Sequence, residues 1–227
     1  MNDIDAIAAL QDPVRRRLYE YVAAQGGREV GRNEAAEATG VARTLAAHHL
    51  DRLAEAGLLD TGSRRLTGRS GPGAGRPAKV YTRAREERAV SLPARDYRTA
   101  AELLAEAAEQ AGLDAGLCAA AHRRGEALRG SAAPCGSLEA AMETLAARGY
   151  EPYLEAAGGA PGAEASAVVR MRNCPFHAVA ERFPPLVCGM NLALLEGLLG
   201  TGGAVRARMA ARPGECCVVV EAADEEL

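Results

Sequence analysis

The order of helix and strand signals in residues 12–82 constrains the fold more than any other feature of this sequence. A helix is predicted over residues 13–24, where an Asp-Pro pair supplies an N-cap and a proline at the first helical position. A short helix over residues 34–39, a turn at Gly40 and a longer helix over residues 42–56 follow. A short helix, a glycine-containing turn and a longer helix are typical of a helix-turn-helix.

A β-hairpin is predicted directly after the longer helix. One strand starts at residues 58–59, and residues 78–82 form its return partner. The tip between them, residues 67–77, is rich in glycine and proline. Residues 64–85 carry seven basic side chains and no acidic one. A basic, flexible tip suits contact with phosphates or insertion into a narrow minor groove.

These segments carry a family resemblance. The stretches DPVRRRLYEYV, NEAAEATGVARTLAAHHLDRLAEAGLL and GRPAKVYT resemble the ArsR-type winged-helix transcription regulators over residues 5–84. In that family the helix containing the HHLDRLAEAGLL segment enters the DNA major groove, and the hairpin lies beside it. The resemblance implies a winged helix-turn-helix in residues 1–90, double-stranded DNA as the partner, and a homodimer on two-fold operators.

The longer helix offers one face to the core and the opposite face to DNA. We expect Leu45, Leu50 and Leu53 to point inward. His49 lies beside that apolar face and suits a buried hydrogen bond, whereas His48 fits a structural role or a DNA contact equally. Arg43 is best suited to a base edge or a phosphate. The DNA-contact candidates on this helix and the hairpin are Arg43, Thr44, Ala47, His48, Arg52, Arg69, Arg76 and Lys79.

Charge is distributed unevenly along the chain. Residues 1–95 carry 16 basic and 12 acidic side chains, a net charge of +4, whereas the remainder carries 11 and 18, a net charge of −7. The basic part can therefore contact DNA, and the acidic part argues against such contact. No apolar run approaches the roughly 20 residues of a membrane span, and the N-terminus lacks the pattern of a secretory signal. We expect a cytoplasmic protein without a membrane partner, in which six cysteines serve metal binding, redox sensing or burial before disulfides.

Residues 91–132 are predicted to form a helical linker or dimerisation segment. Helical patterns run over residues 96–112 and 114–128. A helix that follows the hairpin is a natural dimer element, although packing on its own chain explains the pattern equally well. Cys118 and His122 stand four residues apart, a spacing that could chelate a metal but is commonly coincidental.

Residues 133–227 are predicted to form a small α+β domain, so the fold class of the whole chain is α+β. The elements follow the order helix, strand, strand, helix, strand, strand. Cys174 follows a strand, Cys188 stands near a helix start, and Cys216 and Cys217 begin the last strand. Because side chains alternate along a strand, only one of this adjacent pair is expected to share a site. Thiolates at such positions select iron–sulfur clusters, zinc or copper(I), whereas the alternative is burial as small core side chains.

A second resemblance favours ligation over simple burial. The stretch NCPFHAVAERFPPLVCGMNLALLEGLLG, with the later GECC, is similar to the C-terminal half of SufR-like repressors, in which four widely spaced cysteines bind a [4Fe–4S] cluster. The resemblance implies ligation by Cys174, Cys188 and either Cys216 or Cys217. Residues 201–203 stand where a further cysteine is wanted, which leaves the fourth ligand open. The remaining candidates are His177 and Cys135, or a three-thiolate zinc site.

Three function classes follow. The leading hypothesis is a DNA-binding regulator, a repressor, whose C-terminal domain senses an iron–sulfur cluster, a metal or redox state. The alternative is a winged-helix regulator that responds to a small organic ligand and has structural cysteines and no cofactor. An enzyme is not expected, because Cys174 and His177 lack both an adjacent oxyanion-donating segment and an orienting acid.

Overall fold

A computed structural model describes residues 2–64, 77–156 and 167–223. The chain divides into two compact units, Met1–Arg95 and Asp96–Leu227. Within the described residues the fold is mixed α+β, with one small antiparallel sheet in each unit. The α+β class expected from the sequence is therefore present.

Three of the four α-helices of the first unit follow the expected order, and the first, Asp3–Ala8, was not predicted. Asp12 caps the second of them, because its Oδ1 accepts hydrogen bonds from the backbone nitrogens of Val14 and Arg15 at 2.8 and 3.0 Å. Gly40, with a positive φ of 67°, turns the chain between the third and fourth helices. The helices are α1 (Asp3–Ala8), α2 (Pro13–Ala24), α3 (Arg32–Thr39) and α4 (Arg43–Glu55).

The sheet of the first unit contains the expected hairpin and one unexpected strand. The strands are β1 (Val30–Gly31), β2 (Leu59–Arg64) and β3 (Ala78–Arg83), in the order β1-β3-β2. β1 was not predicted because two residues carry no periodic pattern; it exists through pairing with β3. Most of the predicted hairpin tip, residues 65–76, lies outside the described residues.

One face of α4 enters the core of the first unit. Leu50 and Leu53 are buried, as expected, together with Ala46. The prediction for Leu45 is wrong, because 42% of this residue is exposed. Residues 46, 50 and 53 follow helical spacing, and a side chain one position away from Ala46 is rotated by about 100° toward solvent.

The second unit contains the remaining helices. The sequence predicted a separate linker segment over residues 91–132, but both of its helices belong to this unit. One of them packs along the last helix so closely that a Cβ atom at Gly197 would lie 2.1 Å from the carbonyl oxygen of His122. The helices are α5 (Tyr97–Gln110), α6 (Asp114–Arg129), α7 (Leu138–Ala146), α8 (His177–Ala180) and α9 (Pro184–Leu199).

The second sheet has four antiparallel strands among the described residues. The strands are β4 (Pro152–Ala156), β5 (Ala167–Met171), β6 (Val205–Met209) and β7 (Val218–Ala222), in the order β4-β5-β7-β6. The last strand was predicted to start at residue 216 and instead starts at Val218. The turn predicted over residues 157–164 lies outside the described residues. The sheet packs on α7 and α9 through buried side chains that include Leu145, Val169, Met171, Leu195 and Val220.

No helix within the described ranges combines the length and the apolar character needed to cross a membrane.

Candidate functional site

The outward face of α4 carries most of the DNA-contact candidates. Arg43, Thr44, His48 and Arg52 are exposed, and Ala47 is half-buried. The Arg52 guanidinium lies 2.9 Å from the carboxylate of Glu55 one turn later. Arg43 makes no ion pair with any residue that the structure describes, so its charge is available to a ligand.

Lys79, which is half-buried, forms an ion pair with Asp51 on α4. Its Nζ donates to Asp51 Oδ1 at 2.6 Å, and Tyr81 donates its hydroxyl to the same oxygen at 2.7 Å. Arg32, the first residue of α3, reaches Asp51 Oδ2 at 3.0 Å and donates from Nε to the Tyr81 oxygen at 2.9 Å. The Asp51 carboxylate therefore joins α3, α4 and β3.

The charges around Asp51 keep its carboxylate ionised. Burial raises the pKa of Asp51, but the hydrogen bonds from Lys79 and Tyr81 and the charge of Arg32 outweigh it and lower the pKa. Burial and the bond to Asp51 raise the pKa of Tyr81 to about 12, so its hydroxyl remains a donor. The arrangement is a fixed support for α4 at neutral pH.

A groove lies between the start of α4 and the hairpin. Four basic side chains line it. Two of them, Arg32 and Lys79, bind Asp51, and a third, Arg64, lies 3.7 Å from Glu29. The four cations are Arg32, Arg43, Arg64 and Lys79. The remaining candidates, Arg69 and Arg76, lie outside the described residues.

The buried polar chemistry of the second unit is concentrated beside the end of β5. Cys174 lies in the loop after that strand, and its backbone oxygen accepts the His177 N–H at 3.0 Å, which starts α8. The Asn173 side chain fixes the loop by donating to the Gly149 oxygen at 2.6 Å. Cys188 lies in the second turn of α9, near its N-terminus. Two separate segments thus bring thiols toward the same region.

Cys216 and Cys217 supply the other two thiols from an irregular segment before β7. The Cys216 N–H donates to the Met171 oxygen at 2.9 Å, and the Cys217 oxygen accepts the Ala210 N–H at 2.8 Å. Because the pair precedes β7, strand alternation does not apply to it. The expectation that Cys217 points away from Cys216 is wrong, since both thiols interact with each other.

The four thiols interact as one group. Hydrogen bonding to Cys174 and Cys217 lowers the pKa of Cys216 despite its burial, and backbone and side-chain N–H groups act in the same direction. Hydrogen bonding to Cys216 and burial raise the pKa of both Cys174 and Cys217. The neighbouring thiol of Cys188 also raises the pKa of Cys217. Cys216 is accordingly the sulfur best stabilised as a thiolate.

Two residues missed by the sequence reasoning complete this thiol group. Asn191 on α9 donates from Nδ2 to Cys216 Sγ at 3.4 Å, and Tyr150 donates its hydroxyl to Asn191 Oδ1 at 2.6 Å. Burial, followed by the nearby sulfurs, raises the pKa of Tyr150 and keeps it protonated. The available signal was an amide in a largely apolar helix, because such a group requires a partner when it is buried.

The other proposed ligands make side-chain contacts with different partners. His177 is exposed, and its Nε2 lies 3.2 Å from Glu181 Oε1. Cys135 Sγ lies 3.9 Å from the hydroxyl of Thr144. Cys118 packs on α9, since a Cβ at Gly189 would lie 3.7 Å from its sulfur. None of these contacts places a further ligand beside Cys216.

The donor chemistry of the thiol group fits a centre that prefers sulfur, such as an iron–sulfur cluster. All six cysteines are free thiols, and Cys216 is 2% exposed. Across the described residues, however, no three or more His, Cys, Asp or Glu side chains stand in an arrangement ready to hold a single metal ion. The fit to such a centre therefore rests on the chemistry of the four sulfurs and not on a preformed metal-binding geometry.

Comparison with protein-family models, curated protein sequences and solved structures finds no match to this chain.

Proposed function

We propose that this chain is a DNA-binding transcription regulator, a repressor, with a winged helix-turn-helix in residues 1–90 and a thiol-based sensor in its second unit. The sensor binds an iron–sulfur cluster in this proposal. The observation that carries it is the gathering of four thiols from three separate chain segments next to a buried amide donor. Thiolates in such a set are the usual ligands of iron–sulfur clusters.

The DNA-binding part rests on the outward face of α4 and the adjoining groove. The exposed side chains Arg43, Thr44 and His48 project from one helix face, and a helix of this size fits the major groove. The hairpin supplies further cations for phosphate contacts. The Asp51 contacts support this assignment, because a DNA-reading helix must be held in a fixed orientation to its hairpin.

In the sensing part, Cys174, Cys188, Cys216 and Cys217 hold the cluster. Such a cluster supplies one-electron redox chemistry and sensitivity to oxygen and iron supply when bound. The chain's own residues bind it, keep water away through the apolar side chains around Cys216, and donate a hydrogen bond to one sulfur. The resemblance of this segment to SufR-like repressors supports the same assignment.

Helix α9 provides a route by which the sensor state reaches other helices of its unit. It carries Cys188 near one end and touches the backbone of α6 further along, at Gly197. Because packed cores do not deform continuously, a shift of α9 is passed to α6. In this proposal α5 forms a homodimer contact, supported by the large exposed fractions of Leu103 and Leu104, 62% and 72%.

The first test is the metal content of protein purified without oxygen. We expect iron and acid-labile sulfide in near-equal amounts and a broad visible absorption. Serine variants of the four clustered cysteines should each lose this absorption, whereas Cys118→Ser and Cys135→Ser serve as matched controls that retain it. Zinc alone would contradict the cluster and indicate a structural or zinc-sensing site.

The DNA-binding half is tested separately by selection from a random duplex library, followed by affinity measurements with loaded and cluster-free protein. Enrichment of a two-fold sequence and a difference in affinity between the two forms are expected. If the serine variants lose only stability and their DNA affinity is unchanged, the result would instead favour a regulator that responds to a small organic ligand.

Redox sensing by the thiols themselves is a second candidate. It is favoured by the mutual influence of the thiols on each other's pKa together with the absence of an ion-holding arrangement among the described residues. Mild oxidation with diamide should then form an intramolecular disulfide within the four-thiol group, found by peptide mass spectrometry, and change DNA affinity. Formation of the disulfide without a change in DNA affinity would count against this candidate.

A further inference from the structure

Asn191 is the one polar side chain that is buried among the residues the structure describes; it is 1% exposed. It lies on α9, three residues after Cys188, and its helix neighbours are largely apolar. Burying an amide in apolar surroundings is costly unless both its donor and its acceptor are used. The partners of its donor and its acceptor therefore indicate what the amide does.

The two partners fix the orientation of the amide. Tyr150, which is 4% exposed, donates its hydroxyl to Oδ1 at 2.6 Å. Since a hydroxyl proton is accepted by the oxygen and not by the NH2 group, this bond turns Nδ2 toward Cys216 Sγ, 3.4 Å away. The hydrogen bonds therefore form a chain from Tyr150 through Asn191 to Cys216. This chain connects the residues before β4, helix α9 and the segment before β7.

We propose that Asn191, oriented by Tyr150, is a positioning residue that holds the Cys216 sulfur as a ligand and stabilises its bond to the centre by donating a hydrogen bond. This inference rests on the proposed cluster-binding function. Hydrogen bonds to ligand sulfurs change the reduction potential of iron–sulfur clusters and the affinity for the metal.

A purely structural role makes a different prediction. If Asn191 only satisfies the Tyr150 hydroxyl, its loss lowers thermal stability and leaves the properties of the cluster unchanged. The two roles are separated by Asn191→Leu, which removes the donor at similar volume, by Tyr150→Phe, which removes one hydroxyl, and by the double variant. Tyr81→Phe, the same change in the first unit, is the matched control.

The experiment uses full-length protein reconstituted without oxygen from ferrous iron and sulfide. We measure the midpoint potential of the cluster and the rate at which a chelator removes iron. Asn191→Leu should load, release iron about tenfold faster and have a lower midpoint potential, because outer-shell partners commonly change metal affinity by about 10–100-fold. Tyr150→Phe should change both in the same direction, and the double variant should equal Asn191→Leu, because Tyr150 acts through Asn191.

The outcomes are distinguishable. Wild-type release rates and potentials in both single variants, even with a lower melting temperature, would overturn the positioning role and leave the proposed function intact. Additive effects in the double variant would overturn the inference that Tyr150 acts through Asn191. Wild-type protein that takes up no iron and sulfide would overturn the proposed function and the inference together. If Asn191→Leu does not fold, Tyr150→Phe against Tyr81→Phe decides the matter.

Discussion

The backbones of Gly125 on α6 and Gly197 on α9 are in direct contact: a Cβ atom at Gly125 would lie 2.9 Å from the carbonyl carbon of Gly197. This contact permits the two helices to approach more closely than side chains would allow. It also joins the helix that carries Cys188 to the helix that follows α5.

Substituting Gly197 tests the importance of this approach. Gly197→Ala places a methyl group 2.1 Å from the His122 oxygen, and we expect it to lower the free energy of unfolding by about 1–3 kcal/mol through overpacking. Gly116→Ala is the control, since nothing lies within 4 Å of its added Cβ and alanine should stabilise α6 by about 1 kcal/mol. Urea unfolding measures both, and equal stability of the two variants would contradict the contact.

Under the proposed function, Arg43 and Lys79 should contribute differently to DNA binding. Arg43→Ala removes a charge without an ion-pair partner among the described residues, so the slope of log affinity against log salt should fall by about one. Lys79→Ala should reduce that slope less, because the Lys79 charge is already offset by Asp51 at 2.6 Å. Fluorescence anisotropy over a salt series measures the slopes, with Arg124→Ala on α6 as the control. A larger loss for Lys79 would show that Asp51 releases it on DNA.

His49 should make the first unit less stable in mild acid. Its Nδ1 is buried without a hydrogen-bond partner among the described residues, and burial lowers its pKa below 6.5 despite the opposing charge of Asp12. The unfolded chain therefore takes up this proton first, so the free energy of unfolding should fall as pH decreases below about 6.5. His49→Leu should flatten this part of the pH profile in urea titrations, and a profile that matches the wild type would contradict the role of His49.

Glu155 should stabilise the segment that precedes the vicinal cysteines. It accepts hydrogen bonds from Arg212 at 2.8 and 3.0 Å and from Arg170 at 2.6 Å, and these arginines lower its pKa to about 2. Its contribution should be complete above about pH 4.5 and disappear as pH falls toward about 2. Glu155→Gln should thus lower the urea midpoint at neutral pH, with a smaller difference in acid.

Exposed Glu143→Gln makes the same charge change on α7 and should leave the urea midpoint nearly unchanged at both pH values. A neutral-pH midpoint for Glu155→Gln that matches this control would contradict the stabilising role of the Glu155 ion pairs.

Local signals were sufficient to predict much of the fold. The caps and the spacing of apolar residues predicted α2, α4 and α9, because these depend on neighbours a few residues away. They failed at Leu45, where a shift of one position moves a side chain out of the core, and at β1, which exists only by pairing with β3. Long-range contacts decide such details, and they carry no short-range pattern.

The thiol group was predictable in membership but not in arrangement. Element ends indicated Cys174, Cys188 and Cys216, whereas Cys217 was assigned to the opposite strand face. Its actual position follows from backbone hydrogen bonds to Met171 and Ala210, 45 and 7 residues away in sequence, which keep the pair out of β7. The role of Asn191 was not predicted for the same reason: its partners come from distant segments of the chain.

Under the proposed DNA-binding function, the Asp51 contacts affect which DNA sequences the first unit accepts. One carboxylate joins α4 to β3 and opposes a change in the distance between them. A regulator of the kind proposed above would therefore select DNA by local shape as well as by base edges. Two target sites with identical contacted bases would then differ in occupancy when their flanking sequences change the width of the adjacent groove.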